Sequence, residues 1–149
     1  MNLTSNFKLE RVAPDATAAT TFRKAAGTTD TLNSNSVDVL DFGSITFLVA
    51  IGLISATGTI AFTVEGSATG SGGWTAITGA ARSIVAADAD KIVAITVARV
   101  PSAYRYVRLV STRATANSAI DSVTALLGDG RLNAPTHGSS IVTPAVVSG

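Results

Sequence analysis

The feature that most constrains this chain is an uncharged stretch of 23 residues, Phe42 to Val64, bounded by Asp41 and Glu65. About 20 mainly apolar residues are enough for a helix to cross a membrane. The middle of the stretch, however, is the turn-forming sequence SATGT, and neither a Lys/Arg cluster nor a Trp/Tyr belt flanks it. The apolar side chains alternate with period two, which is typical of β-strands. We therefore predict a β-hairpin or meander whose first strand is buried on both faces, and no membrane span. The alternating residues are Ile45, Phe47, Val49, Ile51 and Leu53 before the turn, and Ile60, Phe62 and Val64 after it.

Similar alternation elsewhere predicts seven to nine short strands and almost no amphipathic helix. The segment GSATGSGG, residues 66–73, reads as a hairpin loop because no helix or strand tolerates four glycines in eight residues. Residues 79–90, GAARSIVAADAD, are compatible with a short helix or with a strand and a loop. We predict an all-β fold, an antiparallel β-sandwich of jelly-roll or immunoglobulin-like topology. The strand candidates are VDVLDF, KIVAITVARV with Val93, Ile95 and Val97 on one side, YRYVRLVST with Val107 and Leu109 on one side, and AIDSVTALLGDG with Val123, Ala125 and Leu127 on one side.

The two ends of the chain differ from its centre. Residues 1–14 read as an N-terminal arm or first strand, residues 15–130 as the sandwich domain, and residues 131–149 as an extended C-terminal arm. The arm has only Arg131 and His137 as ionisable side chains and ends in the apolar sequence IVTPAVV. We expect it to dock on an adjacent subunit, although folding along its own sandwich stays open. The start of the sequence lacks a signal-peptide pattern, so we expect synthesis in the host cytoplasm without Sec export.

Charged residues make up 14% of the chain, against about 25% in ordinary globular proteins. Such a surface is solvated by hydroxyl groups or covered by neighbouring molecules. The charges are also segregated along the sequence: six acids and only Arg82 lie between Gly27 and Asp90, whereas bases and no acid lie from Lys91 to Ile120. This asymmetry would steer one subunit onto another or onto a charged lattice. Charges scattered over strand ends and loops are the alternative.

The residue types needed for catalysis or metal binding are sparse. The chain has no cysteine and one histidine, His137, in a segment rich in Pro, Gly and Ser. Asp88 and Asp90 form a close acid pair, but the further oxygen ligands of a calcium loop are missing. The glycine-rich loop lacks the lysine of a phosphate-binding loop. We therefore predict that the protein is not an enzyme and holds no metal or cofactor.

Aromatic and basic residues are interleaved at Tyr104, Arg105, Tyr106 and Arg108, as they are in proteins that bind single-stranded nucleic acids. Strand alternation would place Arg105 and Arg108 on opposite faces and so interrupt a continuous basic groove. We expect instead a half-buried strand with a tyrosine packed inward and arginines directed outward or to a neighbour. No nucleic acid partner is predicted.

The succession DFGSITFLVAIGLISATGTIAFTVEGSATGSGGWTAIT, YRYVRLVST and SVTALLGDGRLNAP resembles small virion structural proteins of tailed bacteriophages over residues 37–135. In those proteins a G-S-x-T-F-L-V strand precedes an F-x-V-x-E-x-S strand, a Gly/Ser turn, a Trp and a later R-Y-V-R strand. The resemblance implies a β-sandwich component of the particle, on the capsid surface as a decoration or cement protein, or alternatively in the tail or baseplate.

The resemblance leads to a specific expectation: the protein binds and bridges major capsid protein subunits, and associates with copies of itself as a dimer or trimer. A carbohydrate-binding β-sandwich module with exposed aromatics is a further alternative. The residues expected to make contacts between proteins are Arg105, Arg108, Trp74 as a hairpin anchor, and Ile141, Val142, Val146 and Val147 in the arm.

Overall fold

A computed structural model describes residues 7–14 and 29–129, and over this part of the chain it consists of β-strands and a single 3-10 turn at Ala86–Asp88. All strand pairs are antiparallel. The strands are β1 (Lys8–Val12), β2 (Thr29–Asn33), β3 (Val37–Asp38), β4 (Ser44–Ile54), β5 (Thr59–Ser67), β6 (Thr75–Val85), β7 (Ile92–Val97), β8 (Tyr106–Ala114) and β9 (Ser118–Gly128).

The strands form two sheets packed face to face. The first sheet has the order β1-β9-β4-β7, and the second has the order β2-β8-β5-β6, with β3 also pairing with β8. If β2 and β3 are counted as one interrupted strand, the first strand pairs with the eighth, the second with the seventh, the third with the sixth and the fourth with the fifth. This nesting is that of a long hairpin wrapped into a sandwich, which is the jelly roll. The prediction of an all-β sandwich is confirmed, and the topology is jelly-roll rather than immunoglobulin-like.

The uncharged stretch 42–64 forms β4 and β5, but not the predicted hairpin. The two strands belong to different sheets, and the connection at residues 55–58 crosses between them. The prediction that β4 is buried on both faces was also wrong, because Thr46, Leu48 and Ala50 are partly exposed on its outer face. A chain that crosses between sheets needs the same turn formers as a hairpin, so the local sequence does not distinguish the two.

The core is built from the residues that point inward from both sheets. Ile45, Phe47 and Val49 from β4 face Ile60 and Phe62 from β5, and all five are at most 1% exposed. The residues predicted to share one side of β5, β7, β8 and β9 likewise lie together on the core side.

Leu53 is the one alternating residue of β4 that departs from the prediction. The register of β4 with β9 shifts after Ala50, and Ile54 is buried while Leu53 is 69% exposed. A bulge of this kind changes which face the following side chains occupy.

The glycine-rich segment connects β5 to β6, as predicted for a hairpin loop. The Ser67 hydroxyl accepts hydrogen bonds from the backbone N–H groups of Thr69 and Gly70, at 3.2 and 3.1 Å, and so holds the start of the loop. Residues 79–90 were compatible with a short helix or with a strand and a loop. They continue β6 to Val85 and then form the 3-10 turn. No helix in the described ranges is long and apolar enough to span a bilayer.

Lys8–Val12 lies in the sheet as β1, paired with β9. Three parts of the prediction lie outside the described residues: positions 1–6 of the N-terminal arm, positions 15–28, which the sequence placed within the sandwich, and the whole C-terminal arm 131–149.

Candidate interaction surface

The charges that are segregated along the sequence face one another in the fold. The basic strand β8 lies between β2/β3 and β5, which carry acids, so antiparallel pairing sets each arginine beside a carboxylate. A fourth ion pair joins two residues that are close in sequence, just after the end of β6. The ion pairs are Arg105 with Asp38 at 2.8 Å, Arg108 with Glu65 at 2.7 Å, Arg113 with Asp30 at 2.9 Å and Lys91 with Asp88 at 3.5 Å. The asymmetry is therefore largely neutralised within the chain.

Arg105 lies in the bend before β8 and is exposed. The expected alternation with Arg108 therefore does not apply, because the strand begins one residue later. Both Nε and Nη2 of Arg105 donate to the Asp38 carboxylate, at 3.1 and 2.8 Å. Partial burial would raise the pKa of Asp38, but the hydrogen bonds from Arg105 and from the Leu40 amide hold that pKa below its ordinary value. Hydrogen bonding to the Asp38 carboxylate also raises the pKa of the Arg105 guanidinium.

Arg108 and Trp74 form a stacked pair on the outer face of the second sheet. The guanidinium carbon of Arg108 lies 4.3 Å from the centroid of the Trp74 ring, within the range of a cation–π interaction. The Nε of Arg108 donates to the Glu65 carboxylate at 2.9 Å. Trp74 directly precedes β6, so the stack ties the hairpin loop to β8. The stack leaves Arg108 engaged within its own chain, and the role of Trp74 as a hairpin anchor stays a prediction.

The two tyrosines pack on glycines. A Cβ at Gly66 would come within 2.4 Å of the Tyr104 ring, and one at Gly70 within 2.8 Å of the Tyr106 ring. The expectation of a tyrosine packed inward is wrong for Tyr106, which lies on the outer side of β8 with Arg105 5.1 Å from its ring centroid. A sugar-binding platform needs an open ring face. Trp74, Tyr104 and Tyr106 each have a close neighbour against at least one face of the ring.

Arg113 is the charged residue that the sequence reasoning missed. It is fully buried at the core side of β8, and its Nη1 and Nη2 donate to the Ser118 carbonyl at 3.1 Å and to Asp30 at 2.9 Å. The signal was present, because Arg113 has the same parity as the inward residues Val107 and Leu109. Its role is structural: it joins β2 and the start of β9 to β8.

Part of the outer face of the first sheet carries no charge, and we call this part the uncharged face. Three cross-strand rows from β7, β4 and β9 make it up, with Leu48 at its centre. All of its side chains are exposed or partly exposed. Arg11 lies on the adjoining rim in β1, and Asp121 lies beyond one end. The rows are Thr96–Thr46–Leu126, Ala94–Leu48–Thr124 and Ile92–Ala50–Ser122.

A groove of about 730 Å³ opens at the end of the sandwich where β9 finishes. Gly43, Arg99, Pro101 and Asp129 are among the residues that line it. Asp129 is also the last described residue. The predicted contact residues in that segment, Ile141, Val142, Val146 and Val147, lie outside the described residues.

The side chains that could bind a metal ion are scattered over the described part of the chain. Within residues 7–14 and 29–129, no three His, Asp or Glu side chains come together in a way that would hold a metal ion. Asp88 uses its carboxylate locally, because it accepts the Val85 N–H at 3.2 Å and pairs with Lys91.

No protein-family model and no curated protein is similar enough to this chain to count as a match. A solved structure described as "Crystal structure of PirA" aligns with 76% of this chain and 99% of that chain, at 12% identity and a TM-score of 0.39. A likeness at that level carries no argument about function.

Proposed function

We propose that this protein is a structural component of a tailed-bacteriophage virion, a decoration or cement protein that binds and bridges major capsid subunits. The observation that carries the proposal is the uncharged face. An open sheet face in a free monomer is ordinarily rich in charged side chains, whereas Leu48, Leu126 and Ile92 lie here among threonines, serine and alanines. Covering these three rows with a neighbouring protein removes apolar surface from water, and none of the covered side chains is charged; Arg11 lies beside them in β1.

Two further features support an assembly role. Five ion pairs join charged side chains within the described part of the chain, which favours contacts made by shape and apolar burial over charge-driven recognition. Jelly rolls form viral capsid domains as well as lectins, and the resemblance over residues 37–135 favours the former.

The size of the face indicates that it acts together with other contacts. Strand spacing and rise give the three rows an area on the order of 300 Å². A persistent interface buries about 1,000 Å² or more, counted over both partners. The uncharged face supplies only part of this, so we expect the edges of the sandwich or the segment 131–149 to add to the attachment.

The test uses a phage that lacks the gene for this chain, complemented in trans with variants. Leu48→Lys places a charge at the centre of the uncharged face. Thr63→Lys is the matched control, because Thr63 is also partly exposed on the outer side of a central strand, but in the second sheet. Both variants are first shown to fold like the parent by circular dichroism and thermal unfolding.

Gradient-purified particles are then compared for protein content and imaged by cryo-electron microscopy. We expect the parent and Thr63→Lys on the head, and at least a tenfold loss of Leu48→Lys. Density on the tail or baseplate would contradict the cement role and support the tail alternative. Absence from particles together with binding on a glycan array would support a carbohydrate-binding module.

A further inference from the structure

Three of the four sheet edges carry features that prevent another strand from adding to them. β1 carries Lys8, Glu10 and Arg11. β2 and β3 are short, separated pieces, and beside them the Pro14–Ser34 bridge joins the two sheets. Charged, short and covered edges are standard protection against strand addition.

β6 is protected in a different way. Between the pairs Thr63–Ala81 and Glu65–Ala76, its residues 77–80 lie opposite Val64 alone. This bulge, with Gly79 at φ +82°, interrupts the ladder and removes a continuous edge.

β7 has none of these protections. Its sequence IVAITV has no charge, proline or glycine, and all six residues pair with β4 without a register shift. Ile92 is 73% exposed. Within the described part of the chain, no strand pairs with the other side of β7. An edge that is apolar, regular and unprotected is one that accepts a further strand.

The direction of the free backbone groups follows from the β4–β7 ladder. The Ile51 N–H donates to the Lys91 carbonyl at 2.9 Å, so the pair Ala50–Ile92 is of the non-hydrogen-bonded kind. Since the two kinds of pair alternate, the N–H and C=O groups of Ile92, Ala94 and Thr96 point away from β4. These three residues are symmetric about Ala94.

We propose that β7 pairs with β7 of a second copy of this chain, antiparallel about a twofold axis at Ala94. Ala94 then faces Ala94 of the second copy, and Ile92 faces Thr96, with each pair exchanging both N–H···O bonds. The two first sheets become one continuous sheet, and the two uncharged faces join. The pairing goes beyond the virion role and does not rest on it.

Charge selects this register over the one with its axis at Ile95. A twofold axis at Ile95 also keeps side chains on their proper faces, but it sets Lys91 opposite Arg99 of the second copy. Like charges directly opposite each other destabilise a strand pair. With the axis at Ala94, Lys91 lies opposite Val97 and Arg99 lies opposite Ala89, so no like charges meet.

The chain contains no cysteine, so single cysteines report the register directly. In Ala94→Cys, the two Cα atoms across the axis lie about 5.5 Å apart, within disulfide range. In Thr96→Cys they lie about 14 Å apart, beyond that range. Ala81→Cys is the matched control, because Ala81 is equally exposed but lies in the bulged strand β6. We expect a disulfide-linked dimer from Ala94→Cys alone.

Sedimentation of the full chain supplies the second readout. The unmodified protein and Ala81→Lys are expected as dimers, and Ala94→Lys as a folded monomer, because two lysines would meet on the axis. A monomeric parent, or equal cross-linking of Ala81→Cys and Ala94→Cys, would overturn the pairing. Deletion after Ala134 is expected to leave the dimer intact, and its loss would assign the contact to the C-terminal segment instead.

Discussion

At the scale of single residues, the arginines of β8 differ in what they contribute. Arg113 is buried with its two terminal nitrogens bonded to Asp30 and Ser118, whereas the side chains of Arg108 and Glu65 are 17% and 22% exposed. Burial raises the cost of leaving a charge unpaired, because water cannot replace the missing partner. The buried arginine is therefore the one that matters most for stability.

Replacing Arg113 with alanine is expected to lower the free energy of unfolding by about 3 kcal/mol, through the lost pair and the cavity left behind. Arg108→Ala, the control in the same strand, removes a partly exposed pair and should cost about 1 kcal/mol. Urea titration followed by circular dichroism measures both values. Equal losses in the two variants would contradict the structural role assigned to Arg113.

At the scale of elements, side-chain bonds attach the short strand β3 to the rest of the second sheet. β3 has two residues, and its ladder with β8 consists of the pairs Val37–Val107 and Asp38–Tyr106. The Asp38–Arg105 ion pair adds a side-chain link at the end of this ladder. An element this short depends on such links, because its backbone bonds are few.

This link makes stability depend on pH in a defined direction. The pKa of Asp38 is lower in the folded protein than its ordinary value of 3.8. Its contribution is therefore present above that value and is lost as the pH falls below it through the folded pKa. Denaturant midpoints measured across this range should fall less steeply for Asp38→Asn than for the parent. Parallel pH profiles would show that Asp38 does not contribute.

At the scale of the whole molecule, most strand pairings are distant in sequence. Among the described strands, only β5 and β6 pair as consecutive strands, whereas β1 pairs with β9 and β4 pairs with both β7 and β9. Closing such long loops costs chain entropy before the contacts that repay it can form. The jelly roll is therefore a fold dominated by non-local contacts.

Refolding from urea, followed by Trp74 fluorescence in a stopped-flow instrument, is expected on a time scale of milliseconds to seconds. Trp74 is a useful probe because it is the single tryptophan of the chain. It stacks on Arg108, so its fluorescence reports the contact between the β5–β6 hairpin and β8. Completion within microseconds would mean that local contacts dominate folding, against the topology described above.

The sequence by itself determined the strand class, the loop at residues 66–73 and most of the inward-facing residues, because alternation is a local consequence of burying one face of a strand. Only the tertiary structure decided which strands are neighbours. It placed β4 and β5 in different sheets, set Asp30, Asp38 and Glu65 against arginines in β8 and just before it, and left β7 as the unprotected edge. Pairing is settled by closure of the whole sandwich, in which each strand competes for partners far along the chain, and no local pattern records that outcome.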